Sequence, residues 1–222
     1  MNTARIIALT QPLLNKETGA MSVDEFIAYV ARVSNPSNQN NTLTAPKLLK
    51  YLAKHKHWSP FEMVNVVMEI NTTRDIGRQI LRHRSFSFQE FSQRYADPTQ
   101  DMGFVTREAR LQDTKNRQNS IETSDEALQQ DWEYIQSNLI ESAKTVYHWA
   151  IDNGIAKEQA RAVLPEGLIL SRMYMAGSLR SWIHYCQVRA DVSTQKEHRE
   201  IALDAWYQIT EAFPSLKDAL EL

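Results

Sequence analysis

Met63-Val-Asn-Val-Val-Met-Glu-Ile70-Asn-Thr-Thr73-Arg-Asp-Ile-Gly-Arg-Gln-Ile-Leu-Arg82 changes its hydrophobic period in the middle, and that change decides the fold class. Val64, Val66, Met68 and Ile70 alternate with their neighbours, which predicts a strand with one well-buried face. From Thr73 to Arg82 the spacing becomes helical. A strand running straight into a helix, in a chain without regular βαβ alternation, predicts an α+β protein.

Working outward, residues 5–10 read as a short strand. Ser22-Val-Asp-Glu25 forms a capping box ahead of a helix carrying Phe26, Val30 and Val33. Residues 34–42 have loop chemistry, and a helix is predicted over about 45–54, with Pro46 in its first turn. Residues 96–123 are polar and poor in aliphatics, which predicts a long, mobile surface loop. Leu128, Trp132, Ile135, Leu139, Val146 and Ala150 then mark a long amphipathic helix, stopped by Asn153-Gly154. A shorter helix carries Glu158 and Arg161 and stops before Pro165. Residues 168–175 read as a strand and 178–189 as a helix, and Thr194-Gln-Lys-Glu197 is predicted to cap a last helix ending near Pro214. The sum is one α+β domain over 1–222: mixed helices and a mostly antiparallel sheet in two halves.

The 222 residues suffice for a sizeable core, and the balance of 42% hydrophobic to 23% charged residues is that of a globular protein. A net charge of -2 leaves no global basic field for nucleic acid, so an anion site must be local. No apolar run reaches membrane-span length, and Met1 to Arg5 lacks a signal peptide's layout, so a cytoplasmic protein without a membrane partner is expected. A single cysteine, Cys186, excludes an internal disulfide and a cysteine-built metal site.

Three clusters carry potential chemistry. Arg74, Arg78 and Arg82 are four apart and would form one cationic stripe on a helix. With Arg84 and Arg94 they make five arginines against Asp75 and Glu90, a local excess of +3. Such a run is either a solvated face with ion pairs or a grip on a phosphate-bearing ligand, and composition admits both. The second cluster is His55, His57, Ser59 and Glu62, where His-x-His lacks the further ligands of a metal site. The third runs from Ser178 to Asp191 and includes Arg180, His184, Cys186 and Arg189. Its bland reading is a core helix with one charged edge and a small buried cysteine. Neither G-x-G-x-x-G nor a P-loop is present, so no glycine-rich turn holds a nucleotide. No G-x-S-x-G supports a hydrolase built on Ser92 or Ser178.

Arg82-His83-Arg84, followed after seven residues by Ser92-Gln93-Arg94, resembles the R-H-R…S-x-R signature of the flavin-dependent thymidylate synthases. His57-Trp-Ser59-Pro-Phe-Glu62 is similar to that family's H-x-[ST]-P-F-E segment, and Glu158-Gln-Ala-Arg161-Ala-Val-Leu-Pro165 to its E-x-x-R-x-x-L-P helix. The chain departs from many members at Gln89, and from some at Ser178 and His184, always keeping a hydrogen-bonding side chain. The resemblance implies conversion of dUMP to dTMP with bound FAD, methylenetetrahydrofolate and NADPH. It also implies a homotetramer with FAD at subunit interfaces. By position it implies FAD contacts from His57, Ser59, Arg82, His83, Arg84, Glu90, Ser178, Arg180 and His184. For dUMP it implies Gln79, Ile80, Leu81 and Arg82 from one chain, and Glu90, Phe91, Ser92, Gln93, Arg94, Arg161 and Arg189 from a neighbour. Arg189 would be catalytic, stabilising an anionic pyrimidine without acting as a base, since guanidinium stays protonated. The rival readings are a nucleic-acid-binding protein using the 74–94 arginines and a metal hydrolase built on His55, His57 and His83.

Overall fold

The computed structural model describes residues 2–14, 22–217 and 219–220. In chain order its elements are β1 (Thr3–Leu9), α1 (Val23–Ala31), α2 (Ala45–Lys54) and a 3₁₀ segment (Ser59–Met63), followed by β2 (Asn65–Thr73), α3 (Arg74–Ile80) and β3 (Ser87–Glu90). Next come α4 (Pro98–Asp101), β4 (Arg110–Gln112), β5 (Ser120–Glu122), α5 (Glu126–Asp152) and α6 (Lys157–Ala160). The chain closes with β6 (Leu170–Ser178), α7 (Leu179–Arg189), α8 (Lys196–Ala212) and α9 (Pro214–Lys217).

Four strands form an antiparallel sheet in the order β1-β2-β6-β3, and β4 and β5 make a separate hairpin. The alternation read at 63–70 is realised: Val64, Val66, Met68 and Ile70 are all fully buried. Their face packs against α1, α2, α7 and α8 through Ile27, Leu49, Trp182, Tyr185 and Ile201. A smaller cluster of Tyr147, Ala150, Ala160, Leu164 and Ile169 joins α5 and α6 to the start of β6. None of the described helices is long and apolar enough to cross a membrane.

Several expectations are corrected. In α1 the buried residues are Ile27 and Ala28, while Val33 lies beyond the helix and is exposed. The expected strand at 168–175 runs three residues further, because Ser178 both ends β6 and caps α7, its hydroxyl accepting from Ser181 N at 3.3 Å. The expected cap at Thr194 does not form. Gln195 occupies the cap position, and Glu197 is taken by the Arg110 guanidinium instead.

The two larger corrections concern 96–152. Where an irregular loop is expected, α4 and the β4–β5 hairpin form. Side-chain amides of α5 hold the segment, Gln136 and Gln129 each pairing with the main chain of Arg107 and Ala109 respectively. Helix α5 exists as expected, but Leu128, Trp132, Ile135, Leu139 and Val146 are its exposed side. Gln136, Ile140, Ala143, Tyr147 and Ala150 face inward.

Gly177 in β6 is required by a close approach rather than by its backbone angles. A Cβ there would stand 2.4 Å from Phe86 Cδ1, and Phe86 packs edge-on to Trp182 with centroids 4.9 Å apart. Gly177→Ala should therefore destabilise the protein by about 1–3 kcal/mol through overpacking. Urea denaturation measures this, and a variant with an unchanged midpoint and slope would show that the ring moves aside freely.

Candidate active site

Helix α3 ends at Ile80, and the turn that follows brings His83 against the last residue of α7. Arg189 Nε donates to His83 Nε2 at 2.9 Å. That bond requires a neutral imidazole accepting through Nε2. Burial, then the charges of Arg189, His184 and Arg82, push the His83 pKa down to about 4. The Tyr185 ring stands edge-on to His83, with centroids 5.0 Å apart. Behind them lies His198, fully buried, with Nδ1 3.3 Å from Gln79 Oε1. Burial, then Arg189 and His83, hold His198 at about 3.

His198 is missed by motif reasoning. It does, however, share a helical stripe with Ile201, Ala202, Ala205 and Ile209, and a histidine on an otherwise apolar stripe was the available signal.

At the other end of α7, Glu62 accepts from the Ser178 hydroxyl and from Arg180 Nη1, the latter at 2.6 Å. Burial pushes the Glu62 carboxyl up, but the Ser178 and Arg180 hydrogen bonds outweigh it and hold it below the ordinary value. Arg180 and His184 line a cavity of about 230 Å³ with Trp58 and Ser85. His57 and Ser59 are exposed beside it, next to Lys56 in the left-handed region at φ 58°. Arg82 and Arg84 are exposed and have no carboxylate partner among the described residues. Arg180, the Ser85 and Ser181 hydroxyls and the Trp58 ring give that cavity a lining that can receive an anionic, aromatic ligand.

The remaining expected residues assemble elsewhere. Arg94 Nη2 pairs with Glu158 at 3.3 Å, and Arg161 follows at the end of the same short helix, with no carboxylate partner among the described residues. Glu90, Phe91 and Ser92 line a cavity of about 520 Å³ with Tyr95, Arg172 and Tyr174. Glu90 Oε1 accepts from Ser171 at 2.9 Å and pairs with Arg74 at 3.4 Å. Gln93 is buried, as is the Ile80 side chain, which belongs to the core; Leu81 packs against it. Among the described residues no hydrogen bond or ion pair joins Arg94 or Arg161 to Arg82 or Arg189.

The arginine stripe resolves into separate fates. Arg74 is buried between Glu90 and Glu166, both at 3.4 Å, and Arg78 pairs with Glu166 at 3.1 Å. Arg82 falls beyond the end of the helix, so no continuous stripe exists. Cys186 is fully buried and its thiol is pushed up by that burial, the condition of an inert cysteine. Among the described residues no group of three or more His, Cys, Asp or Glu side chains is arranged to hold a metal ion, so the His55–His57 pair finds no third ligand.

An α+β domain with guanidiniums lacking carboxylate partners among the described residues at Arg82, Arg84 and Arg161, and an arginine anchored to a neutral histidine, carries the charge to hold anionic ligands. Residues 18–215 match the family described as thymidylate synthase complementing protein. The chain is 48% identical over 217 residues to the flavin-dependent thymidylate synthase of Synechocystis sp., covering 98% of each. It is 44% identical over 219 residues to the probable flavin-dependent thymidylate synthase of Paramecium bursaria Chlorella virus 1, covering 99% of each. Its fold matches the crystal structure of the UMP/dUMP methylase PolB from Streptomyces cacaoi bound with 5-Br dUMP. The TM-score is 0.78 at 24% identity, covering 99% of this chain and 94% of the other. The chain belongs to the flavin-dependent thymidylate synthases.

The depressed histidines make a pH prediction. Both pKa values lie below the 6.5 of a free histidine, so between about 6.5 and about 4 the unfolded chain binds protons at these sites that the folded chain does not. Stability therefore rises with pH across this window. The penalty is absent above it, and complete only below about 4 for His83 and about 3 for His198. Melting temperature should fall between pH 6.5 and 5 while the His83 and His198 ring resonances stay at neutral positions. Rings titrating near 6.5 would show both sites to be open to protons.

Proposed function

We propose that this chain methylates dUMP reductively to dTMP, with FAD as bound redox cofactor, methylenetetrahydrofolate as one-carbon donor and NADPH as reductant. The carrying observation is Arg189, fixed by one Nε–H bond to a neutral histidine, with no carboxylate partner and no Nη hydrogen bond among the described residues. Uracil C5 is a poor nucleophile until electron density is pushed into the ring. A planar guanidinium against N3 and O2 of the base stabilises the charge that develops there. When bound, FAD supplies the hydride chemistry.

No protein nucleophile is called for. Cys186 is buried as an un-ionised thiol, and the Ser92 hydroxyl accepts from Arg94 N at 3.3 Å with no histidine bonded to it among the described residues. The His57–Ser59 segment, Arg82 to Arg84, Glu90, Ser178, Arg180 and His184 form the flavin site. Glu62 sets the Arg180 guanidinium there. Arg94 and Arg161 take the dUMP phosphate with Arg82, and a phosphate arriving at Arg94 competes with Glu158.

In this reading the bond of Arg189 to His83 groups it with Arg82, not with Arg94 and Arg161 as the resemblance implies, and the complete site combines subunits of a homotetramer. The exposed Leu128, Trp132, Ile135, Leu139, Val146 and Trp149 along α5 supply an apolar face for that assembly.

Arg189→Lys should keep FAD but lose turnover by a factor on the order of 10²–10³, because a point charge cannot reproduce the planar fork. Cys186→Ala should keep most of its turnover. Single-turnover formation of dTMP measures both, and a folded, flavin-loaded, inactive Cys186→Ala protein would refute the mechanism.

Subunit sharing is tested by complementation. Arg161→Ala and Arg189→Ala homo-oligomers should each be nearly inactive, and co-expressed hybrids should recover a measurable fraction of wild-type activity. Hybrids as inactive as their parents would place both arginines in one subunit's site.

A further inference from the structure

Behind the Arg189–His83 pair runs a chain of side-chain hydrogen bonds whose direction is fixed from one end. The Glu197 carboxylate can only accept. Burial pushes it up, but the Arg110 guanidinium and the Gln195 amide outweigh that and keep it ionised, its pKa below the ordinary value. Arg110 Nη2 donates to Glu197 Oε1, and Gln195 Nε2 donates to Oε2 at 2.9 Å. With its NH₂ committed to Glu197, Gln195 turns Oε1 toward Gln79, whose Nε2 donates to it at 2.8 Å. Gln79 Oε1 is then the atom that meets His198 Nδ1 at 3.3 Å, so the proton of the neutral ring sits on Nδ1. Reversing either amide would set two donors or two acceptors against each other. His198 Nε2 is buried without a hydrogen-bond partner among the described residues, so the bond to Gln79 is the ring's single polar tie.

We propose that His198 is a positioning residue: by donating to Gln79 Oε1 it holds in place, for the pyrimidine nucleotide, an amide whose orientation Gln195 sets. The inference rests on the proposed function, with Gln79 contacting dUMP as the family resemblance implies. Gln79 has two N–H donors and an oxygen with two lone pairs. The network uses one of each, which leaves one donor and one acceptor, in fixed order, for the nucleotide. Without His198 the amide keeps only its Nε2 tie to Gln195 and can swing about it, so that Oε1 is no longer held in place for the nucleotide. Because Arg110 belongs to β4, the same relay ties the β4–β5 hairpin to the nucleotide site.

The test uses the flavin-loaded holoenzyme and dUMP itself, with binding read from the perturbation of the flavin spectrum. A wild-type protein that holds no flavin or does not respond to dUMP sinks the proposed function, not this inference. With that response in hand, His198→Phe keeps the ring volume and removes the donor. Its dissociation constant and KM for dUMP should rise about tenfold, the scale of one lost hydrogen bond. kcat should stay within about threefold, since the bond acts on binding. His198→Asn, whose Nδ2 stands close to where Nδ1 stood, should recover most of the affinity. ¹⁵N spectra of the wild-type imidazole should show the Nδ1–H tautomer. A folded, flavin-loaded His198→Phe with wild-type dUMP affinity overturns the proposal, as does an Nε2–H tautomer. If His198→Phe does not fold, Glu197→Leu removes the anchor of the relay: weakened dUMP binding with intact flavin supports the proposal, and unchanged binding overturns it.

Discussion

The site hangs from the pairing of β2 with β6. Nine consecutive pairs run from Asn65↔Ser178 to Thr73↔Leu170, and each strand passes directly into a helix. Because the strands are antiparallel, α3 and α7 start from opposite ends of the pair. Nine paired residues span about 30 Å, and the eleven residues of α7 rise about 16 Å. The two helices can therefore bring their C-terminal ends together, and there Arg189 meets His83. Trp182 ties α7 to the sheet by donating Nε1–H to Val66 O at 3.0 Å. A one-residue slip of β2 would turn Val66, Met68 and Ile70 to the other face and break that tie, and the arginine would lose its partner.

The structure distributes its arginines by the charge of what holds them. Arg74, wedged between Glu90 and Glu166, is neutralised and buried, and it ties α3 to β3 and to the segment before β6. Arg189 is held equally firmly but by a neutral imidazole, so the positive charge is kept. A carboxylate in the place of His83 would orient the guanidinium and cancel its field in the same act. That makes the low His83 pKa part of the design: protonation would remove the acceptor and set two cations side by side. Burial against Tyr185 and Phe86, with the charge of Arg189 beside it, is what keeps that imidazole in the neutral form.

Much of this was legible in the sequence where one physical signal acted alone. The alternation at 64–70, the bounds of α2 and the Ser22 capping box all appear as read, since period and cap chemistry are local. Candidate residues of the R-H-R segment and α7 could be named from the sequence, but not how they group, because that depends on the β2–β6 register. The β4–β5 hairpin was invisible for a different reason. Its aliphatics, Leu111 and Ile121, are exposed, and it is held by Gln129, Gln136, Arg110–Glu197 and Lys196–Glu122, polar ties between residues distant in sequence that no periodicity records. The Thr194 cap failed through the same competition, since Glu197 has a stronger partner in a guanidinium than in a main-chain N–H.

Helix α5 is the case in which period alone misleads. It carries apolar residues on two sides, and the larger ones, Trp132, Leu139 and Trp149, are on the side that a single chain leaves open. A hydrophobic pattern reports that a face is covered, not by which chain. The inward side uses Ile140, Ala143, Tyr147, Ala150 and a buried glutamine; Tyr147 and Ala150 build the smaller core cluster, and the glutamine clamps the hairpin. In the proposed homotetramer the outward side becomes a second core between chains. On that proposal the grouping of Arg94 and Arg161 apart from Arg189 and the exposed α5 stripe have one origin: each chain would hold part of a catalytic site and part of the interface that completes it.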